Sequence, residues 1–315
     1  MEHSEPAGAP ASVSTVDDTP LARELADLSA RRRALSDVRV DLPERTRIMT
    51  VSNQKGGVGK TTSAVNIAAA LASLGARVLV VDLDPQGNAS TALGVEHGAD
   101  TPSVYDVLID DFPLSDIVQA SPESPLLLCA PSTIHLAGAE IELVSQVARE
   151  HRLRTALETY LESSADPVHF VIVDCPPSLG LLTINAFAAA DEVFIPIQCE
   201  YYALEGLSQL MGSIGMIQRH LNPPLHVSTI LLTMYDGRTR LSQQVADEVR
   251  SHFAEQVLNT VIPRSVRVSE APSFGQTVIA YDGQSAGAVA YREAAVEITR
   301  RHAESSADAQ QKGRS

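Results

Sequence analysis

The feature that most constrains the fold is a glycine-rich stretch that joins the first apolar run to the first helical pattern. Its glycines, Gly56, Gly57 and Gly59, allow backbone conformations and a close approach that a side chain would block. Successive amide N–H groups can therefore surround phosphate oxygens at the positive end of the following helix. The stretch ends in Lys60 and Thr61, a lysine that would reach the β- and γ-phosphates and a hydroxyl that would ligate Mg²⁺. The sequence thus predicts a phosphate-binding loop.

This loop departs from the common pattern G-x-x-x-x-G-K-[ST] at one position. Gln54 stands where the first glycine is expected, and the next residue is a second lysine, Lys55. A glycine-rich turn without a function is the alternative explanation. The strand pattern before the stretch and the helix pattern after it, both of which a phosphate-binding loop requires, favour the functional interpretation.

Two further apolar runs end in carboxylates. The run that begins at Val78 ends at Asp82 and is followed by Asp84, and the run that begins at Phe170 ends at Asp174. Open α/β sheets place ligand-binding groups just beyond the carboxyl ends of their strands. Asp174 matches the strand-end aspartate that holds Mg²⁺ through a water. One such strand end can be an ordinary turn, but three carboxylates at strand ends around one loop favour a site.

Apolar strand candidates alternate with helical periods along most of the chain. This alternation predicts an α/β fold, a doubly wound, mostly parallel sheet with helices on both faces. The first helix of the domain is predicted over Lys60 to Leu74. The predicted strands are Arg47 to Val51, Arg77 to Asp82, Leu126 to Cys129, His169 to Asp174, Glu192 to Pro196 and Val227 to Thr233.

Changes in composition divide the chain into three parts. Residues 1–44 are predicted to be a disordered extension with one short helix from Leu21 to Leu35. Residues 45–303 hold the α/β domain, and residues 304–315 are predicted to be a flexible tail. The short helix carries three consecutive arginines from Arg31, which are either a solvated charge run or a contact for a nucleic acid or a partner.

Charge and cysteine content limit the function classes. The formal net charge of −15 opposes a protein that coats nucleic acid with its whole surface, although a local basic patch is compatible with it. Cys129, Cys175 and Cys199 are odd in number and far apart, which favours reduced cytosolic thiols over disulfides or a zinc site. No signal-peptide pattern is present, and the apolar runs are shorter than the ~20 residues of a membrane span. We expect a soluble, cytoplasmic protein that binds no membrane.

Three motifs together resemble the deviant Walker A cytoskeletal ATPases. They are Lys-Gly-Gly-Val-Gly-Lys-Thr-Thr at 55–62, Asp-Leu-Asp-Pro-Gln-Gly-Asn at 82–88 and Asp-Cys-Pro-Pro-Ser at 174–178. Within that group, the segments at 198–206 and 262–275 are similar to the chromosomal ParA (Soj) partition ATPases. The resemblance spans about Ile48 to Arg301 and does not include the N-terminal extension.

The resemblance implies that the chain binds ATP with Mg²⁺ and hydrolyses it slowly. Lys55 would cross a homodimer to touch the other subunit's ATP and neutralise the charge that develops during phosphoryl transfer. Asp84 would orient the attacking water, provided that it lies within hydrogen-bond distance of it. The implied catalytic residues are Lys55, Lys60 and Asp84; the nucleotide-binding residues are Lys55, Gly56, Gly57, Val58, Gly59, Lys60, Thr61, Thr62, Pro263 and Arg264; the metal residues are Thr61, Asp84 and Asp174.

The same resemblance implies that the ATP-bound homodimer binds double-stranded DNA non-specifically through Arg238 and Arg267. On the residues alone these would be ordinary solvated arginines. Other arginines in the same third of the chain favour a basic surface, and they are Arg219, Arg240, Arg250 and Arg264. Binding would weaken steeply with salt and would show no sequence preference. A ParB-like partner would stimulate hydrolysis and release the nucleoid-associated protein.

Other protein classes share a similar loop. A membrane-surface ATPase like the cell-division regulator MinD needs a C-terminal helix with apolar and basic faces, and the segment from Ile298 to Ser306 has little apolar face. A reductase like the nitrogenase iron protein needs cysteines from both subunits near the loop, a pattern that Cys175 alone does not supply. A biotin-pathway synthetase would place polar substrate-binding residues where this chain has Glu200 to Gly206. A module that binds ATP without hydrolysis is opposed by Lys55 and Asp84.

Overall fold

The computed structural model describes residues 19–36 and 38–312. The chain divides into two units, residues 1–38 and 39–315. In the first unit the described residues form helix α1, Pro20–Ser36, which confirms the helix predicted from Leu21 to Leu35. Residues 1–18 of the predicted extension lie outside the described residues. The disorder of the extension and the limits of the domain and the tail stay predictions.

The second unit is built from eight strands and eleven helices, with short 3-10 turns at Leu114–Asp116, Leu143–Ser145 and Ala271–Phe274 in its described part. The strands are β1 Arg47–Val51, β2 Val78–Asp82, β3 Gln119–Ser121, β4 Ser124–Ala130, β5 Phe170–Asp174, β6 Glu192–Gln198, β7 His226–Tyr235 and β8 Val257–Pro263. The helices are α2 Lys60–Ser73, α3 Asn88–Ala92, α4 Val104–Ile109, α5 Leu136–Glu142, α6 Arg152–Ser163, α7 Leu181–Ala189, α8 Ala203–His220, α9 Arg240–His252, α10 Val266–Glu270, α11 Val278–Tyr281 and α12 Ala286–Lys312.

All strands belong to one sheet in the order β3-β4-β2-β5-β1-β6-β7-β8. Each neighbouring pair is parallel except β3 and β4, which confirms the predicted doubly wound, mostly parallel sheet. Strand β1 lies between β5 and β6, and β2 and β6 lie on opposite sides of it. The chain order therefore reverses at β1, and open α/β sheets bind ligands at the carboxyl ends of the strands at such a point.

The alternation of side chains along each strand produces two apolar layers. In β2, Val78 and Val80 face the layer that contains α2 and α12, whereas Leu79 and Val81 face the layer that contains α4 to α7. Helices α8 and α9 continue this second layer over β6 and β7. Full burial of a valine or leucine contributes about 1.5–3 kcal/mol, so both faces of the sheet stabilise the fold.

Helix α2 follows the glycine-rich loop and is buried along most of its length. Its sequence is rich in alanine, which has the highest helix propensity and a side chain small enough to let the helix approach the sheet closely. The buried Asn66 donates to Thr62 O at 2.7 Å and accepts from Val278 N at 2.7 Å. Both ends of its amide are satisfied, and it ties α2 to the start of α11.

Both edge strands of the sheet present few unpaired backbone groups. Strand β3 has three residues and runs antiparallel to β4. At the β8 edge, Glu297 of α12 accepts from the backbone amides of Asn259 and Thr260 at 2.8 and 3.0 Å. Arg301 donates to the carbonyls of Glu255 and Val257, each at 2.7 Å. Side chains of α12 thus occupy the hydrogen-bonding positions that a further strand would use.

The six predicted strands are all present, and β4, β6 and β7 are longer than predicted. Strands β3 and β8 were not predicted, because β3 has only small and polar residues and Asn259 and Thr260 interrupt the apolar run of β8. Helix α12 extends through residues 304–312, so the predicted tail begins within a helix, and residues 313–315 lie outside the described residues. None of the described helices combines the length and apolar composition needed to cross a membrane.

Candidate active site

Strands β1, β2 and β5 bring the glycine-rich loop and the predicted aspartates together at the carboxyl ends of the strands. In the parallel register, Val51 of β1 lies opposite Asp174 of β5, and Asp82 of β2 lies opposite the same Asp174. The glycine-rich loop leaves β1 at this edge and opens helix α2. The structure therefore places the loop and both strand-end aspartates together, as the sequence predicted.

Glycines determine the shape of the loop. Gly57 has φ 76° and Gly59 has φ 88°, values in the left-handed region where a side chain is strained. Gly59 is the N-cap of α2, and its carbonyl accepts the first helical hydrogen bond from Ser63 N at 2.8 Å. Val58, between the two glycines, is buried and anchors the loop. The turn directs the amino end of α2, with its unpaired amides, toward the edge of the sheet.

Two side chains outside the motif brace the loop. The buried Asn53 donates to Pro196 O at 2.8 Å, and its amide oxygen accepts from Lys55 N at 3.0 Å. Thr233, at the end of β7, donates to Val58 O at 2.8 Å. These contacts fix the loop before any ligand binds. Neither role was predicted from the sequence, because neither residue belongs to a recognisable motif.

Lys60 lies in the site with 8% of its surface exposed. Its ammonium group donates to Lys55 O at 3.3 Å. Burial lowers the pKa of Lys60, and the nearby carboxylates of Asp174 and Asp84 oppose this shift. The lysine therefore lies among negative groups where it can also meet the negative oxygens of a phosphate.

Asp174 is fully buried, and neither carboxylate oxygen has a hydrogen-bond partner in the described part of the chain. Burial raises the pKa of Asp174 well above its ordinary value, and the neighbouring Asp82 adds to this shift. The nearby Thr61 hydroxyl and the Lys60 charge act in the opposite direction, although Thr61 does not meet the geometry of a hydrogen bond to Asp174. A buried, unpartnered carboxylate beside a hydroxyl is a donor set that fits a hard cation such as Mg²⁺.

Asp84 lies on the loop between β2 and α3 and is half-buried. Its Oδ1 accepts from Gln86 N at 3.0 Å, and its carbonyl accepts from Gly87 N at 2.9 Å. Its amide donates to Oδ1 of Asp82 at 3.2 Å, which places Asp84 just beyond the strand end that lies opposite Asp174. The second carboxylate oxygen can accept a hydrogen bond from a water or act on a metal-bound ligand.

Lys55 lies at the rim of the site, and 43% of its side chain is exposed. Its ammonium group forms an ion pair with Glu200 at 2.5 Å, just beyond the end of β6. The next two residues, Tyr201 and Tyr202, are exposed and pack edge to face with ring centroids 5.0 Å apart. The two loop lysines thus differ, because Lys60 faces inward and Lys55 lies on the surface.

The predicted adenine contacts, Pro263 and Arg264, lie at the end of β8. Pro263 pairs with Tyr235 of β7, and Arg264 N donates to Tyr235 O at 3.4 Å. The end of β7 in turn packs beside Gly59 through Thr233 and Met234. Pro263 and Arg264 therefore lie three strands from β1, with β6 and β7 between, and β7 connects them to the loop.

The two predicted DNA-binding arginines are exposed and have carboxylate neighbours. Arg238 donates to both carboxylate oxygens of Asp236, at 2.9 and 3.1 Å. This arginine and the nearby Arg264 lower the pKa of Asp236. Arg267 of α10 lies 3.4 Å from both Glu270 and Asp282. Arg238 and Arg264 thus share one surface region, and each arginine of the predicted pair has an acidic neighbour.

A loop that follows the central strand of a parallel sheet, caps a helix and precedes Lys60 and Thr61, beside the buried Asp174, defines a P-loop nucleotide-binding protein. The profile of the AAA_31 family, described as an AAA domain, matches residues 46–227. The chain belongs to the ParA/Soj family of chromosome-partitioning proteins, which are P-loop ATPases. The resemblance drawn from the motifs is thereby confirmed, whereas the roles of individual residues stay predictions.

Relatives and solved structures give the extent of this similarity. The sporulation initiation inhibitor protein Soj of Bacillus subtilis (strain 168) is 53% identical over 252 residues, which cover 80% of this chain and 98% of that protein. The chromosome partitioning protein ParA of Myxococcus xanthus (strain DK1622) is 50% identical over 255 residues, 81% of this chain and 88% of that protein. The crystal structure of cobyrinic acid a,c-diamide synthase from Mycobacterium smegmatis, with bound ATP analog and magnesium, has a TM-score of 0.68 at 40% identity and covers 79% of this chain and 93% of that chain.

Proposed function

We propose that this chain is an ATP-dependent switch in chromosome or plasmid segregation. The observation that carries the proposal is the difference between the two loop lysines. Lys60 is buried in its own site, whereas Lys55 lies exposed at the rim. A cation at the rim is positioned to reach a phosphate bound by a second copy of the chain, as a dimer around ATP requires. The Myxococcus xanthus relative at 50% identity is named a chromosome partitioning protein, and this supports the same function.

In this proposal the loop binds Mg-ATP. The amides from Gly56 to Thr62 would surround the phosphates, and Lys60 would neutralise part of their charge. Thr61, Asp84 and Asp174 would hold Mg²⁺, which when bound reduces the negative charge of the phosphates. Pro263 and Arg264 are proposed to contact the adenine. The unpartnered carboxylate of Asp174 and the ATP analog and magnesium bound to a solved structure at 40% identity support this assignment.

The proposed hydrolysis depends on Asp84. Its half-buried carboxylate would accept a hydrogen bond from the attacking water and orient it toward the terminal phosphate. Lys55 from the second subunit would neutralise the charge that develops as the phosphate leaves. Hydrolysis in the isolated protein would be slow. A ParB-like protein would raise its rate and so return the dimer to single subunits.

The proposed DNA contact uses Arg238 and Arg267 of both subunits. Dimer formation doubles the number of arginine–phosphate contacts, and each contact releases counterions, so only the ATP-bound state would bind duplex DNA firmly. Contacts to phosphates carry no sequence information, and we therefore expect no sequence preference. Hydrolysis would separate the subunits and release the DNA. The protein would thus cycle between the nucleoid and the surrounding cytoplasm.

A salt titration with random-sequence duplex DNA tests this proposal. Binding is measured with ATP, with ADP and without nucleotide, for the wild type and for Arg267→Glu and Lys55→Ala. We expect binding that requires ATP, weakens with salt and is lost in both variants. Arg154→Glu, a charge reversal at an exposed arginine of α6, is the matched control and should bind DNA much as the wild type does.

Two results would refute the segregation switch. In the first, the protein binds ATP but ignores DNA in every nucleotide state. In the second, Arg154→Glu weakens DNA binding as much as Arg267→Glu, so that only overall charge matters. A parallel measurement with anionic lipid vesicles tests the alternative of a membrane-surface ATPase, for which ATP-dependent vesicle binding without DNA binding is the expected result.

A further inference from the structure

Two buried aspartates, Asp82 and Asp174, lie side by side at the strand ends of the candidate active site, but their hydrogen bonding differs. Asp82 and Asp174 occupy paired positions of β2 and β5, and both are fully buried. Neither oxygen of Asp174 has a hydrogen-bond partner in the described chain. Asp82 accepts three hydrogen bonds, from Ser90 N at 2.9 Å, Ser90 Oγ at 2.7 Å and Asp84 N at 3.2 Å. The oxygens of Asp82 are therefore engaged by the protein itself, and those of Asp174 can accept a ligand.

The hydrogen bonds of Asp82 continue into a buried network. Ser90 Oγ, which donates to Asp82, also accepts from Ser132 N at 3.1 Å. Ser90 and Ser132 are both fully buried. The network thus joins the end of β2, helix α3 and the segment after β4. Because water is excluded, each of these bonds is stronger and more directional than it would be at the surface.

This network closes around the loop that carries Asp84. Asp82 receives one hydrogen bond from Asp84 N at the start of the loop and two from Ser90 beyond its end. Within the loop, Gly87 has φ 64° and caps α3, and its amide donates to Asp84 O. One buried carboxylate therefore holds both ends of a short turn, and the position of Asp84 relative to the phosphate-binding loop depends on it.

We propose that Asp82 is a positioning residue for hydrolysis and that Ser90 completes its hold on the Asp84 loop. The inference rests on the proposed function, in which Asp84 orients the attacking water. It assigns different roles to the two aspartates of the motif Asp-Leu-Asp: Asp82 braces the turn, and Asp84 acts on the water. It also separates the paired aspartates of β2 and β5, since Asp174 serves the metal and Asp82 does not.

Substitution of Ser90 tests the inference with a small change in volume. Ser90→Ala removes the hydroxyl that bridges Asp82 and Ser132. It leaves the hydrogen bonds of the phosphate-binding loop in place. Because a misplacement of about 1 Å can lower a rate about 100-fold, we expect kcat for ATP hydrolysis to fall about 10- to 100-fold while KM for ATP stays within about twofold. The control is Ser121→Ala, which removes a buried hydroxyl that donates to Leu93 O at 2.8 Å, at the far end of α3.

Asp82→Asn is the second variant, because it keeps the size of the side chain but replaces an acceptor oxygen with a donor. We expect the same selective loss of kcat. Should this variant fail to fold, Ser90→Ala decides the question. The inference is overturned if Ser90→Ala retains the kcat of Ser121→Ala, or if its KM rises in proportion to the loss of rate. Asp84→Ala is measured in parallel: if it hydrolyses ATP at the wild-type rate, the proposed role of Asp84 has failed independently of the Ser90 result.

Discussion

Removal of the Asp174 charge is expected to stabilise the nucleotide-free protein. The carboxylate is buried without a hydrogen-bond partner in the described chain and lies beside a second buried carboxylate, Asp82. Both features oppose its ionised form, and together they raise its pKa. The substitution Asp174→Asn keeps the shape and removes the charge. The proposed metal ligand would thus reduce the stability of the fold, a trade-off common at functional sites.

Asn leaves a neutral polar group buried in the same place, so the gain is the extra cost of the charge over that of a neutral group, about 1–3 kcal/mol. For a domain of this size, 1 kcal/mol corresponds to about 2–4 °C in Tm, so Asp174→Asn should melt about 2–12 °C higher. The gain depends on pH. The folded-state pKa of Asp174 lies above the unfolded value of 3.8, so the destabilisation is absent below that value and grows as pH rises toward the folded pKa. The difference should be small near about pH 4 and largest near about pH 8.

Thermal unfolding in EDTA and without nucleotide, at several pH values, measures this difference. Asp247→Asn, at an exposed position of α9, is the matched control and should melt like the wild type at each pH. Addition of ATP and Mg²⁺ should raise the Tm of the wild type more than that of Asp174→Asn, because the variant lacks the proposed metal ligand. The reasoning is refuted if Asp174→Asn melts at or below the wild-type temperature near about pH 8, or if the gain is the same at all pH values.

Two other substitutions test the loop brace and the DNA surface. Thr233→Val removes the hydrogen bond to Val58 O, and such a bond contributes about 0.5–1.5 kcal/mol. Calorimetry should therefore show ATP affinity reduced about 2- to 10-fold. An unchanged affinity would contradict the role of Thr233 in bracing the loop. Asp236→Asn weakens the ion pair that holds Arg238, which in the proposed function would compete with DNA phosphate. The salt titration should therefore show DNA affinity raised about two- to fivefold above that of Asp247→Asn. If Asp236→Asn and Asp247→Asn raise DNA affinity equally, net charge alone is responsible.

The parts of the site that sequence predicted are those whose signals are local. The glycines, Lys60 and Thr61 stand together in one short stretch, and the apolar runs that end in Asp82 and Asp174 are continuous in sequence. Each signal combines a pattern of a few residues with one requirement of the backbone or of a strand end. Strand alternation predicted the sheet in the same way, because burial on both faces leaves long apolar runs.

The parts that sequence did not predict depend on distant partners. Thr233 lies 175 residues from Val58, and Asn53 lies 143 residues from Pro196. Such pairs become visible only when the order of strands is known. Ser90 is only eight residues from Asp82, but its proposed role depends on burial and on its contact with Ser132, 42 residues away. Short-range spacing therefore predicted where the candidate site lies, whereas the contacts that support it could be recognised only in the folded structure.

The covered edge of β8 has a consequence for how copies of this chain can associate. The amides of Asn259 and Thr260 already donate to Glu297, and the carbonyls of Glu255 and Val257 already accept from Arg301, so a strand from another copy meets no free backbone group at these positions. Continuous growth of the sheet into a fibre is thereby blocked at this edge. Copies of this chain that meet at high concentration must therefore associate through surfaces other than the β8 edge.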